Sequence, residues 1–167
     1  MIFHTLNFEI TSKTSCRIFE EAVRNRKGIK TILIRTGFTR TIAEDNRIRH
    51  MILCLPAMQN CVIYPSLFHR SAPIIDDEAF LHIVRSSSNN TLLSGWSAIT
   101  GAGLATAFEI IYSGQTSRYI CCTVNIMALH DLRPYLDARF VLAHGHIKHR
   151  QSGAKLAIVR YSTHEFE

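Results

Sequence analysis

The stretch Ser94–Gly114 (SGWSAITGAGLATAFEIIYSG) does most to constrain what this chain can fold into. It contains no proline and no charged residue before Glu109. A helix that is apolar on every side has to be buried rather than mounted on a surface. Gly95, Gly101, Gly103 and Gly114 are interleaved with Ala98, Ala102, Ala105 and Ala107. So many small residues imply that something, a sheet or a ligand, approaches this backbone closely. Strand patterns follow at Tyr119–Leu129, Ala138–His149 and Ala154–Glu165. Together they predict an α+β fold with one long helix, Ser94–Tyr112, packed across an antiparallel sheet.

Upstream, Ser15–Asn25 reads as a short amphipathic helix with Ile18, Phe19, Ala22 and Val23 on one side, ended by Gly28. The apolar runs Lys30–Ile34 and Ile48–Leu55 read as strands separated by a polar turn at Ala43–Arg47. Between Pro56 and Asn90 the pattern breaks down. Pro56, Pro65 and Pro73, the acidic run Asp76-Asp77-Glu78 and the loop-like Ser86–Asn90 predict no regular element there beyond a helical turn or short strand at Phe80–Val84. No internal repeat is visible. The expected organisation is an N-terminal extension at 1–14, then a single domain at 15–163 with a divergent or inserted segment at about 56–90.

A chain of 167 residues, 47% hydrophobic and 19% charged, suits one globular domain. The longest uncharged run, Ser86–Phe108, holds too much Ser, Asn, Thr and Gly to cross a membrane. The N-terminus lacks a basic segment followed by an apolar one, so the expected location is intracellular, cytoplasmic or mitochondrial. Cys16, Cys54, Cys61, Cys121 and Cys122 are odd in number and lack CxxC spacing, which fits reduced thiols rather than disulfides or zinc. The formal net charge of +6 suits an anionic partner. Nucleic acid is disfavoured, because no basic strand face is interleaved with aromatics.

His144 and His146 share a strand face, with His149 nearby, but no adjacent Cys, Asp or Glu completes a metal site. Lys148, Arg150 and Lys155 flank a turn at Gln151–Gly153, a hairpin with a basic rim. Left to itself, that rim is a solvated turn. Glu109 reads either as a working acid or as the polar end of its helix.

The segments Thr91–Leu93, Ser94-Gly95-Trp96, Thr123–Ile126 (TVNI) and Ser152–Val159 (SGAKLAIV), with the helix between them, resemble the hotdog-fold acyl-CoA thioesterases. The nearest likeness is to their small single-domain branch, whose central helix opens with a motif like N-x-x-G-x-x-H-G-G. Phe19–Asn25 and Thr39–His50 are similar to that branch's leading helix and first strand. Two alignments of the helix are open. With Ser94-Gly95-Trp96 in the H-G-G place, the catalytic carboxylate position falls on Gly103; with Thr100-Gly101-Ala102 there, it falls on Glu109.

The resemblance implies hydrolysis of fatty acyl-CoA to free acid and CoA, or a catalytically inactive acyl-CoA-binding or structural relative. Thioester hydrolysis needs a carboxylate and N–H donors for the developing oxyanion. The implied catalytic residues are Glu109, Ser94 and Gly95. The implied substrate contacts are Trp96, Thr123, Asn125, Lys148, Arg150 and Lys155, the last three for the phosphates of coenzyme A. No cofactor or metal is implied beyond the coenzyme A of the substrate. The implied assembly is a homodimer or homotetramer.

Overall fold

The computed structural model of the chain describes residues 5–10, 13–25, 29–36, 42–64, 75–93, 98–114, 119–136, 139–151, 153 and 155–162. Its strands are β1 (Thr5–Ile10), β2 (Thr31–Thr36), β3 (Met58–Tyr64), β4 (Ser87–Leu93), β5 (Tyr119–Asn125), β6 (Phe140–Ala143), β7 (His146–His149) and β8 (Lys155–Ser162). Its helices are α1 (Lys13–Asn25), α2 (Ile42–Leu53), α3 (Asp77–Ser86), α4 (Gly101–Ser113) and α5 (Ile126–Leu132), the last running into a 3-10 turn at Arg133–Tyr135.

All eight strands form one sheet in the order β1-β2-β3-β4-β5-β8-β7-β6. The pairings from β1 through β5 to β8 are parallel, and only β8–β7 and β7–β6 are antiparallel. The α+β expectation of a long central helix wrapped by an antiparallel sheet is therefore overturned. The fold is α/β, with antiparallel pairing confined to the hairpin edge. The physical reason is connectivity. Parallel neighbours need a crossover, and here each of the first four crossovers carries a helix.

From β1 to β5 every crossover steps in the same direction. Right-handed crossovers that never reverse put all their helices on one side of the sheet. The helices accordingly pack in chain order, α1 on α2, α2 on α3, α3 on α4 and α4 on α5. Strands β1 to β5 begin about 30 residues apart, so the first part of the chain advances as successive βα units. The core lies between the two layers. Ile32, Ile34, Cys61, Ile63, Leu93, Ile120 and Cys122 project toward the helices, where Phe19, Ile52, Phe80, Ile83, Leu104, Phe108 and Ile111 meet them.

Several local expectations change for identifiable reasons. Ile48–Leu55, read as a strand, belongs mostly to α2. Its buried Ile48, Met51, Ile52 and Leu55 have the i, i+3, i+4, i+7 spacing of a helix face. The segment 56–90, expected to lack regular structure, contributes β3, α3 and β4. Asp76, in the acidic run, caps α3: its Oδ1 accepts from the Ala79 amide at 3.0 Å. Ser87–Asn90 is strand, not loop, because β4 is clamped between two parallel neighbours and turns Asn90 to the solvent side. Thr5–Ile10, placed in an extension, is the edge strand β1 of the sheet.

The helix expected at Ser94–Tyr112 begins at Gly101, because Thr100 is its N-cap and Thr100 Oγ1 accepts from the Gly103 amide at 3.1 Å. Its small residues do admit a close neighbour, and that neighbour is another helix. A Cβ on Gly101 would collide with the backbone of Asp131 and Leu132 in α5, and one on Gly103 with the Asp77 carboxylate. The strand expected at Tyr119–Leu129 stops at Asn125, and α5 follows directly. Where one strand was expected at Ala138–His149, the described residues form a hairpin, β6 and β7 folded about His144-Gly145.

Candidate functional site

The described residues among those singled out by the hotdog resemblance are spread over α4, β5, β7, β8 and the turn after β7. Ser94, Gly95 and Trp96 lie outside the described residues. Glu109 sits on the outer side of α4, half-exposed, and its Oε1 accepts from Arg139 Nη2 at 2.7 Å. Arg139 also lies over the rings of Tyr112 and Phe140, at 5.4 and 5.3 Å from their centroids. Tyr112 in turn stacks on His149 with centroids 4.9 Å apart. Glu109 is thus one end of a surface tether from α4 to the hairpin, the polar helix end that the sequence also allowed. Thr123 and Asn125 belong to β5, Lys148 to β7 and Lys155 to β8, and Lys148 and Lys155 are register partners across the antiparallel pair. Gly103, the alternative carboxylate position, is filled by its contact with Asp77.

The acidic run does structural work. Asp77 Oδ1 accepts from the Thr100 amide at 2.8 Å and Oδ2 from Thr100 Oγ1 at 2.6 Å, tying α3 to the cap of α4. Arg49 of α2 donates through Nε to Asp76 at 2.9 Å and through Nη2 to Glu78. These bonds hold the Arg49 guanidinium above its ordinary pKa, first through Asp76 and then through Glu78.

Two features remain as sites. The first is the sheet face opposite the helices, over which no described element lies. Along β1, β2, β3, β4 and β5 its rows are set by register. Thr5, Thr31, Asn60, Asn90 and Tyr119 form a polar row, in which Asn60 Nδ2 donates to Thr31 Oγ1 and Asn90 Nδ2 to Asn60 Oδ1, each at 3.2 Å. Leu33, Val62, Leu92 and Cys121 form an apolar row beside it. Glu9, Arg35 and Tyr64 form a third, with the Arg35 guanidinium 6.0 Å from the Tyr64 ring centroid. Because no crossover reverses direction between β1 and β5, this part of the sheet has no topological switch point, and so lacks the strand-end crevice where open α/β sheets bind nucleotides.

The second feature is a cavity of about 550 Å³ between α5 with its 3-10 turn and the β6–β7 hairpin. Leu129, Leu136, Phe140, Val141 and Leu142 give it apolar walls, and His130, Arg133, His144 and Arg150 line it with nitrogen. Arg150 is positioned twice: its amide donates to the Arg139 carbonyl at 2.7 Å, and its Nε to the Phe140 carbonyl at 3.1 Å. The sequence marked Arg150 for an anion, but Arg133 and the cavity walls went unnoticed. The Arg133-Pro134 turn after the unread helix α5 was the signal that could have found them.

No family model, curated protein or solved structure matches the chain. Among the described residues, no helix is long and apolar enough to cross a membrane.

Proposed function

We propose that this protein is a recognition module whose uncovered sheet face receives an acidic polypeptide partner. The observation that carries this reading is the one-sided helix layer. Parallel sheets ordinarily have both faces covered, and this one offers a half-buried apolar row of Leu33, Val62 and Leu92 with polar rows on either side. An apolar centre with a hydrogen-bonding rim is the anatomy of a protein interface. The five strands β1 to β5, at ~4.8 Å spacing and about six residues long, present a face of roughly 19 by 20 Å. That is about half of the ~800 Å² per partner of a standard protein interface, the size of a contact with a short polypeptide segment. Glu9 pairs by register with Arg35, so the face carries no basic stripe for nucleic acid. The net charge of +6 steers an acidic partner toward the chain and opposes association of like copies.

The catalytic set of a thioester hydrolase gains no support from the described geometry, because Glu109 is engaged with Arg139. The deciding experiment places a photo-crosslinking side chain at Leu92, with Arg85 on α3 as the control, then purifies and titrates whatever polypeptide is captured. The expected result is capture from Leu92 alone, with binding weakened at least about tenfold by Leu92→Arg, the loss that ~1.4 kcal/mol represents. Equal capture from Arg85, undiminished binding by Leu92→Arg, or a stable dimer of the chain in sedimentation would overturn it.

A further inference from the structure

The hairpin turn that borders the cavity, which is open to solvent, contains the one non-glycine residue with positive φ among the described residues, His144 at φ 50°. Gly145 follows at φ 72°, so both central residues of the two-residue turn are left-handed. Such turns favour Asn, Asp or Gly at the first position, because a larger side chain is strained there. Residues held in sparsely populated backbone regions concentrate at ligand-binding sites. His144 lines the cavity, at its hairpin end. The strain therefore falls on a side chain that the cavity uses.

The chemistry of the walls points the same way. Arg133 comes from the helix side and Arg150 from the hairpin side, and among the described residues neither is ion-paired with a carboxylate. The apolar part of the lining is Leu129, Leu136, Phe140, Val141 and Leu142. A guanidinium binds carboxylate or phosphate oxygens in a planar, charge-assisted fork. Aliphatic and aromatic walls accept a chain or ring by burial. The volume of about 550 Å³ lies within the range of small-molecule sites.

We propose that this cavity binds a small amphipathic anion, with its phosphate or carboxylate head on Arg133 and Arg150 and its apolar body against Leu129, Leu136, Phe140 and Leu142. His144 positions the head group from the turn. The site is separate from the open sheet face, so it stands or falls independently of the partner proposed there.

The test is calorimetric titration of the whole chain with decyl phosphate, decanoate, decanol and inorganic phosphate, each below its micelle-forming range. Either amphipathic anion should bind at least about tenfold tighter than decanol or inorganic phosphate, and the tighter of the two identifies the head group. Arg133→Gln should weaken that binding about tenfold or more. Arg150 also holds the hairpin through Phe140, so Arg133 is the cleaner variant. His144→Asn relieves the backbone strain, so it should raise or preserve the melting temperature while weakening the anion severalfold. A role for His144 in the turn alone would leave binding untouched. Decanol binding as tightly as decyl phosphate, no binding of either anion, or Arg133→Gln without effect would overturn the proposal.

Discussion

The two faces of the sheet are built from the same strands at adjacent registers, and they have opposite fates. Ile34, Ile63, Leu93 and Cys122 form one row across β2, β3, β4 and β5, and the helix layer buries them to 3% exposure or less. One residue earlier on each strand, Leu33, Val62 and Leu92 form the other row, half-buried and uncovered by any described element, with Cys121 buried at its β5 end. The side chains are nearly the same in size and apolarity. What differs is what the chain connectivity places above them. A sheet wound in one direction carries its helices, and with them its core, on one face only.

The largest effect that could break this comparison is a matched pair of truncations. Ile63→Ala opens a cavity between the layers and should cost about 2–5 kcal/mol, whereas Val62→Ala, one position away on the open face, should cost less than about 1 kcal/mol. Urea unfolding of the two variants measures both. Equal losses would mean that the open face is covered by something stabilising in the free protein.

A smaller effect concerns how tightly the helix layer is closed. Gly101→Ala drives a methyl into the backbone of Asp131 and Leu132, where no flexible side chain can yield, and should cost about 1–3 kcal/mol. Ala102→Gly, on the exposed side of the same turn, should cost no more than about 1 kcal/mol. A tolerated Gly101→Ala would show α4 and α5 packed more loosely than described.

The buried thiols sharpen the comparison by pH. Burial pushes Cys61 up to about 12, and burial, with a smaller contribution from Cys121, does the same for Cys122. Their folded pKa values lie above the unfolded value of 9.0, so the stability they carry is complete below that pH and is lost as pH rises toward about 12. Within that window the unfolded chain ionises these thiols and the folded one does not, so stability falls as pH rises. Cys61→Ala with Cys122→Ala should flatten the decline, read from unfolding curves collected at increasing pH. An unchanged slope would mean that these thiols reach solvent.

The sequence was legible where periodicity is local. The helix near Ser15–Asn25, the presence of a helix over Gly101–Ser113, the strands near Thr31 and Lys155 and the turn after Arg150 could all be read from spacing and turn residues. The burial of α4 on every side could not, because Ala102, Thr106, Glu109 and Tyr112 face outward from the helix layer. Strand direction could not. A parallel and an antiparallel strand have the same alternation, and only the helices between them reveal which applies. The Ile48–Leu55 run hid one such helix, and the polar β4 looked like a loop because its outward residues face solvent. The question of sites was harder still. The cavity joins α5, read as strand, to a hairpin read as one strand, so Arg133 and Arg150 could not be placed together.

The smallest expected effect tests the outer surface of the helix layer. Glu109 and Arg139 form an ion pair with side chains 52% and 44% exposed, and water screens such a pair strongly. Glu109→Gln should therefore change stability by no more than about 1 kcal/mol, with Arg139 still resting on Tyr112 and Phe140. The same variant separates tether from catalyst. If the native protein hydrolyses acyl-CoA and Glu109→Gln lowers turnover by about 10²–10⁴-fold, Glu109 acts as a base. The helix layer would then hold chemistry as well as stability, and the division of labour between the two faces would fail. Turnover no different from buffer in both proteins, with a stability loss of the expected small size, leaves Glu109 as the anchor of the hairpin.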